Sequence, residues 1–269
     1  MKGRSDRITL FDVENTGMVL EFEAYDLFRR GGHHPRPSDI KKPRELFSFQ
    51  AKQMGRKPVW HSVTEDGGKE AMVRHMHEVL MDTDVLVGWN SEKFDWRKAQ
   101  HAFFMLGLDR VPEPHQVDLM KVVRRHFDFE SNSLVYVSRR MAEEGLIDLG
   151  AAKIDLGAED VSVKVLIDRI KRGDKRAMTL LKRYGLRDVT VLEAMWPALL
   201  PYVRLPHASP ALALTDEGDK VCPSCSSFDT EGRGVRRTLQ GAYPRRFCRA
   251  CRAWYTITRA TSMVRSRAV

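Results

Sequence analysis

The side chains most able to do chemistry are four carboxylates spread along the chain and four thiols gathered near its end. Asp12 and Glu14 stand two apart at the end of an apolar segment, Arg7-Ile-Thr-Leu-Phe-Asp12-Val-Glu14, and in a strand that spacing sets both on one face. Two charges on one face of a core strand are costly to bury unless something positive joins them. Asp95 follows a second apolar run, in Asn90-Ser-Glu-Lys-Phe-Asp95, and opens a helical pattern, where an aspartate also serves as an ordinary N-cap. Asp188 lies four positions after Tyr184 in the last long helical pattern. That spacing puts tyrosine and aspartate on one helical face, although alone Asp188 reads as an exposed helix charge.

All four cysteines fall in two pairs, Cys222-Pro-Ser-Cys225 and Cys248-Arg-Ala-Cys251, with 22 residues between them. Two such pairs on tight turns set four thiolates tetrahedrally around one Zn²⁺, and a short segment with little apolar surface needs such a staple to fold. Structural disulfides or a redox pair are the alternatives, but neither a secretory signal nor a βαβ pattern beside a C-x-x-C supports them. Gly232-Arg-Gly234 offers a hairpin tip that absorbs the extra length between the pairs. The charge is as unevenly placed as the thiols: residues 220–269 hold 11 Lys+Arg against 2 Asp+Glu, which equals the whole net charge of +9. A neutral body with a basic end points to a polyanionic partner, most plausibly nucleic acid. Val235-Arg-Arg237, Tyr243-Pro-Arg-Arg-Phe247 and Arg252-Ala-Trp-Tyr255 interleave cations with aromatics, as suits phosphate neutralisation and base stacking. The competing reading makes Phe247, Trp254 and Tyr255 the small core of the ribbon.

The elements that must position these groups are legible as periodicities. Arg7 to Glu14 is a buried strand ending at Asn15-Thr-Gly17; Leu46 to Ala51 and Pro58 to Val63 alternate at period two and read as a hairpin joined to it. Asp84 to Asn90 is a second buried strand. Helical spacing runs over Lys69–Met81, Asp95–Gly107, Asp118–His126, Leu134–Glu144, Val161–Lys171 and Asp174 to about Trp196. The order predicts an α/β fold with a mixed sheet flanked by helices, followed by a small C-terminal zinc ribbon. Gly31 to Asp39 reads as a surface loop without a legible role, and Pro201, Pro206 and Pro210 interrupt every periodicity. The expected organisation is a catalytic domain over 1–204, a Pro-rich linker over 205–219, the ribbon over 220–260 and a basic tail over 261–269.

Taken in order and spacing, Asp12-Val-Glu14-Asn-Thr-Gly17, Asn90-x3-Phe94-Asp95 and Tyr184-x3-Asp188 resemble the three exonuclease motifs of the DEDD superfamily of 3′→5′ exonucleases, the proofreading type on a ribonuclease H-like fold. Position 183 is Arg183, so the histidine subclass does not fit and Tyr184 places the chain with the tyrosine subclass. Asn15 departs from a frequent threonine at a position that shapes the turn. The resemblance implies two Mg²⁺ or Mn²⁺ ions, since four converging carboxylates would otherwise repel and take up protons. Two ions ~3.5 to 4 Å apart clamp a phosphodiester, one activating water and one stabilising the departing 3′-oxygen. It further implies that Asp12 bridges both ions, that Glu14 and Asp188 hold the water-activating one, and that Asp95 supports the other. Tyr184 would orient the attacking water, while Thr16, Gly17 and Met18 would border the terminal nucleotide. Asn90 belongs to the same substrate-facing set, and Asp118 resembles a recurrent position behind the site that serves equally as a helix cap.

The expected activity is therefore metal-dependent 3′→5′ hydrolysis of single-stranded or frayed DNA, with the ribbon adding affinity for nucleic acid. An RNA-trimming exoribonuclease of the same superfamily is the alternative within the enzyme class, and a catalytically degenerate nucleic-acid adaptor the alternative outside it; the complete acidic set argues against the adaptor. At 42% apolar residues the composition excludes general disorder, and no apolar run approaches the ~18 residues of a membrane span. No membrane partner is expected. The architecture resembles stand-alone nucleases of bacteria and their phages, which implies a cytoplasmic protein.

Overall fold

The computed structural model describes residues 7–16, 18–20, 37–148, 150, 154, 156, 161–203, 221–238 and 241–257. Gly17, most of the Gly31–Asp39 segment, residues 239–240, the expected linker and the basic tail lie outside the described residues. The chain divides into two compact units, Asp6–Trp196 and a second one that takes in the described residues from Pro197 onward.

In the first unit β1 (Ile8–Asn15), β4 (Leu46–Gln53), β5 (Val59–Ser62), β6 (Val85–Gly88) and β7 (His115–Asp118) form one sheet in the order β5-β4-β1-β6-β7, while β2 (Val19–Leu20) and β3 (Ile40–Lys42) make a separate two-stranded ribbon. β4 pairs antiparallel with both β1 and β5, and β6 runs parallel to both β1 and β7. This is the expected mixed, ribonuclease H-like sheet. The helices are α1 (Gly68–Met81), α2 (Asp95–Met105), α3 (Leu119–His126), α4 (Leu134–Glu143), α5 (Val163–Lys171) and α6 (Lys175–Leu199). Ser133, Ser162 and Asp118 accept from backbone N–H groups in the first turns of α4, α5 and α3, and Asp174 does so for Arg176 and Ala177 at the start of α6, which accounts for where each helix begins.

The alternation of β1 sorts the sheet into two faces. Phe11 and Val13 join Phe49, Met72, Met76, Leu80, Trp96 and Phe103 in a core closed by α1 and α2. Leu10, Asp12 and Glu14 point the other way, opposite Lys52, Gln50 and Ser48 in the β1–β4 ladder. The register then steps from Glu14–Ser48 to Asn15–Leu46, leaving Phe47 as the extra residue of a bulge. Phe47 accordingly joins a second core with Leu166, Ile167, Ile170 and Leu181, against which Tyr184 packs. Burying these side chains is worth about 2 kcal/mol each relative to exposure, which is what holds α5 and α6 to the sheet.

One strand is added to the sequence reading and one turn is corrected. His115–Asp118 is a parallel edge strand, where sequence showed only the start of a helix at Asp118. Gly232-Arg-Gly234 is no hairpin tip: in the second unit β8 (Thr230–Thr238) runs through it, and the register shifts between Gly232 and Val235, with Gly234 at φ 76°. This bulge sets a residue in left-handed backbone, which glycine adopts without strain. β8 pairs with β9 (Gly241–Cys248), which pairs with β10 (Trp254–Thr256), in a three-stranded antiparallel sheet. Ser224 Oγ donates to the Val203 carbonyl at 2.6 Å, fastening the first thiol turn to the chain segment beyond α6.

Candidate active site and four-cysteine site

Asp12 and Glu14 project from the end of β1 toward α6, and there they meet Asp188: one carboxylate oxygen from each lies within 4.8 Å of the others. Asp188 is only 3% exposed, so its charge sits in a poorly solvated place. Asp95 stands at the first position of α2, is buried, and accepts from the Val13 backbone N–H. Burial first and the charge of Asp12 second push its carboxyl up to about 8. Asp95 lies outside the tight triad but within its field. Lys98, one turn further along α2, offsets part of that shift; burial pulls its ammonium below the usual lysine range, and Asp95, Asp12 and Glu14 pull it back up. Convergent carboxylate oxygens of this kind are the donor set of a hard divalent cation, whose charge would relieve the repulsion now expressed at Asp95.

Tyr184 occupies the same stripe of α6 as Asp188, half-buried against the Phe47 core. Asn90 takes a left-handed backbone, φ 60°, and its N–H donates to Asp118 Oδ1 at 2.8 Å. The same oxygen caps α3 at Met120, 3.1 Å away, so Asp118 both starts a helix and fixes the turn that leads to Asp95. Thr16 is engaged twice with Glu45: its N–H donates to the Glu45 carbonyl at 2.9 Å, and its hydroxyl accepts from the Glu45 N–H at 2.9 Å. What Thr16 offers a substrate is thus its place at the strand end. Met18 is half-buried nearby in sequence, and Gly17 is outside the described residues.

Gln50 was missed in the sequence. It is wholly buried opposite Asp12, its Nε2 donates to Asp12 Oδ2, and a Cβ added at Gly185 would lie 2.8 Å from its Oε1. A glycine in mid-helix costs about 1 kcal/mol relative to alanine, and here it makes room for the side chain that holds Asp12. The period-two pattern of β4 and that unexplained glycine were the only signals. Beside it Lys52 pairs with Glu193 of α6 at 3.1 Å.

In the second unit the four thiols converge as their spacing predicts. Cys222 Sγ and Cys251 Sγ are 3.6 Å apart, as are Cys225 Sγ and Cys248 Sγ, and all four sulfurs lie within 4.8 Å of one another. All four are free thiols, so the disulfide reading fails. Four ligands at ~2.3 Å from a tetrahedral ion would stand about 3.8 Å apart, close to what is found. Burial pushes the Cys225 thiol up to about 11, with the neighbouring Cys222 adding to it, and burial pushes Cys251 up as well. A cation of soft-ligand preference would hold these groups as thiolates.

Among solved structures, the chain is similar to the family B DNA polymerase from the hyperthermophilic archaeon Pyrobaculum calidifontis, at 20% identity and a TM-score of 0.51 over 74% of this chain and 25% of that one. The chain thus spans about a quarter of the polymerase, and the likeness is one of fold: a mixed sheet flanked by helices. No family model and no curated protein matches it. Among the described residues no helix is long and apolar enough to cross a membrane.

Proposed function

We propose that this protein is a metal-dependent 3′→5′ exonuclease of the DEDD type, tyrosine subclass, acting on single-stranded or frayed DNA. The supporting observation is the meeting of Asp12, Glu14 and Asp188 oxygens within 4.8 Å, beside a buried Asp95, from three elements far apart in the chain. Mg²⁺ or Mn²⁺ ions held there would stabilise charge on the attacking water and on the departing 3′-oxygen. Asp12, Glu14 and Asp188 supply the ligand oxygens, and Asp95 adds its own from the start of α2. Gln50 fixes which way the Asp12 carboxylate faces. Tyr184 orients the attacking water through its hydroxyl, by hydrogen bonding. The four thiols hold one structural Zn²⁺ that keeps the basic sheet folded.

Digestion of matched DNA and RNA strands labelled at the 5′ end, with Mn²⁺ present, tests this reading. A ladder of stepwise shortened labelled products on DNA is expected. Shortening of RNA alone would move the substrate to the exoribonuclease alternative, and no divalent-dependent product from either strand would leave only the adaptor.

A further inference from the structure

Strand alternation divides the three-stranded sheet of the second unit into two unlike faces. Arg246, Cys248 and Tyr255 turn toward the cysteine cluster, with Tyr255 packed against it. Tyr243, Arg245 and Phe247 alternate on the opposite face, where Trp254 stands directly across from Phe247 and Arg236 across from Tyr243. The Phe247 and Trp254 rings are 5.2 Å apart at their centroids. Each carries a guanidinium: Arg245 lies 4.8 Å over Trp254, and Arg233, supplied by the bulge, 5.3 Å over Phe247. Trp254 is nonetheless 49% exposed. The aromatic that serves the core is therefore Tyr255, while Trp254 stands open on a cationic face beside the half-buried Tyr243 and Phe247.

We infer that this face is a stacking platform for unpaired bases, and that its occupant is single-stranded DNA. An exposed indole accepts bases of any identity, while the guanidinium groups stacked on Trp254 and Phe247 meet the phosphates. A paired duplex hides its base faces and offers this surface only its backbone. The charge of the segment is complementary to that occupant: one of the two acids in residues 220–269, Glu231, is already paired with Arg233 and Arg249. This inference rests on the nucleic-acid reading above, but it concerns binding and needs no hydrolysis.

The test is affinity of the full chain for a 5′-labelled DNA strand of mixed sequence, in an Asp12→Ala background without added divalent ion, so that a failure of the nuclease reading and a failure of this one are separable. Trp254→Ala should weaken single-strand binding about tenfold and leave duplex binding unchanged, as expected for one lost stacked base. Its salt slope should not move, whereas Arg245→Ala should flatten the slope by ~0.7 log units per log unit of salt. Trp254→Phe should keep most of the affinity yet abolish the strand-induced quenching of indole fluorescence, and this readout stands even if the alanine variant loses its zinc. Unchanged affinity in a zinc-loaded Trp254→Ala protein, or quenching that survives Trp254→Phe undiminished, would overturn the platform and leave the face to a protein partner.

Discussion

Gln50 and Asp12 face each other across the β1–β4 ladder, and the Gln50 amide donates to the Asp12 carboxylate from beneath while lying against the backbone of Gly185. One buried side chain thus connects the first acidic motif to the helix that carries the last. Gln50→Leu should lower turnover about 10- to 100-fold and raise the metal concentration needed for half-maximal rate, because partners that orient metal ligands have effects of that size. Gly185→Ala should act through the same contact: its Cβ displaces Gln50 and costs about 1 to 3 kcal/mol of stability as overpacking. Metal titrations of both variants, with denaturation midpoints alongside, check this; a wild-type metal response from Gln50→Leu would reduce the contact to packing.

Tyr184→Phe deletes a hydroxyl and leaves the ring against the Phe47 core. Turnover at saturating metal should fall ~10²-fold with KM little changed, as for lost positioning at the reacting centre. Equal turnover would make Tyr184 a packing residue.

Much of this arrangement is legible in the sequence. The acids Asp12, Glu14, Asp95 and Asp188 stand out because short motifs at strand and helix ends carry their own spacing, and the thiols stand out for the same reason. β7 did not, because four residues following Pro112 and Pro114 with a single inward apolar side chain, Val117, give no period to read. The bulges at Phe47 and Gly234 were equally hidden, since register is settled by the partner strand. Gln50 is a polar residue on a buried strand, and its meaning depends wholly on what lies across from it.

A histidine pair gives the first unit a pH dependence of its own. His61 Nδ1 and His75 Nδ1 are 3.1 Å apart, and His75 meets Phe49 edge-on at 5.3 Å. Burial first and His61 second hold His75 below the usual histidine range, against smaller opposing effects of Glu78 and Glu65. Above about pH 6.5 the ring is neutral in both folded and unfolded chains and adds no slope. As pH falls through that value the unfolded chain takes up a proton that the folded one refuses, so stability drops until the lower folded pKa is reached. His75→Gln should flatten this acid limb in urea denaturation between pH 7 and 5. Superimposable curves would show that the pair carries no such linkage.

Cys248→Ser removes one of four converging sulfurs. Zinc content should fall to near zero, and the basic sheet should unfold while the first unit keeps its own melting transition, because a small structural zinc site broken at one ligand does not hold its fold. Stoichiometric zinc in the variant would assign the fold of that sheet to its aromatic and arginine contacts.

In the proposed reading Asp12, Glu14, Asp95 and Asp188 form one metal-dependent centre of phosphodiester hydrolysis. Its most direct test is the shortening of a 5′-labelled single strand by Asp12→Ala and Asp188→Ala proteins purified free of other nucleases. Both should be folded, should contain zinc and should bind the strand within a few-fold of the unsubstituted protein, yet neither should yield products at any Mg²⁺ or Mn²⁺ concentration. A divalent-dependent ladder from Asp12→Ala protein, at a rate matching the unsubstituted chain, would show that these carboxylates are not the hydrolytic centre.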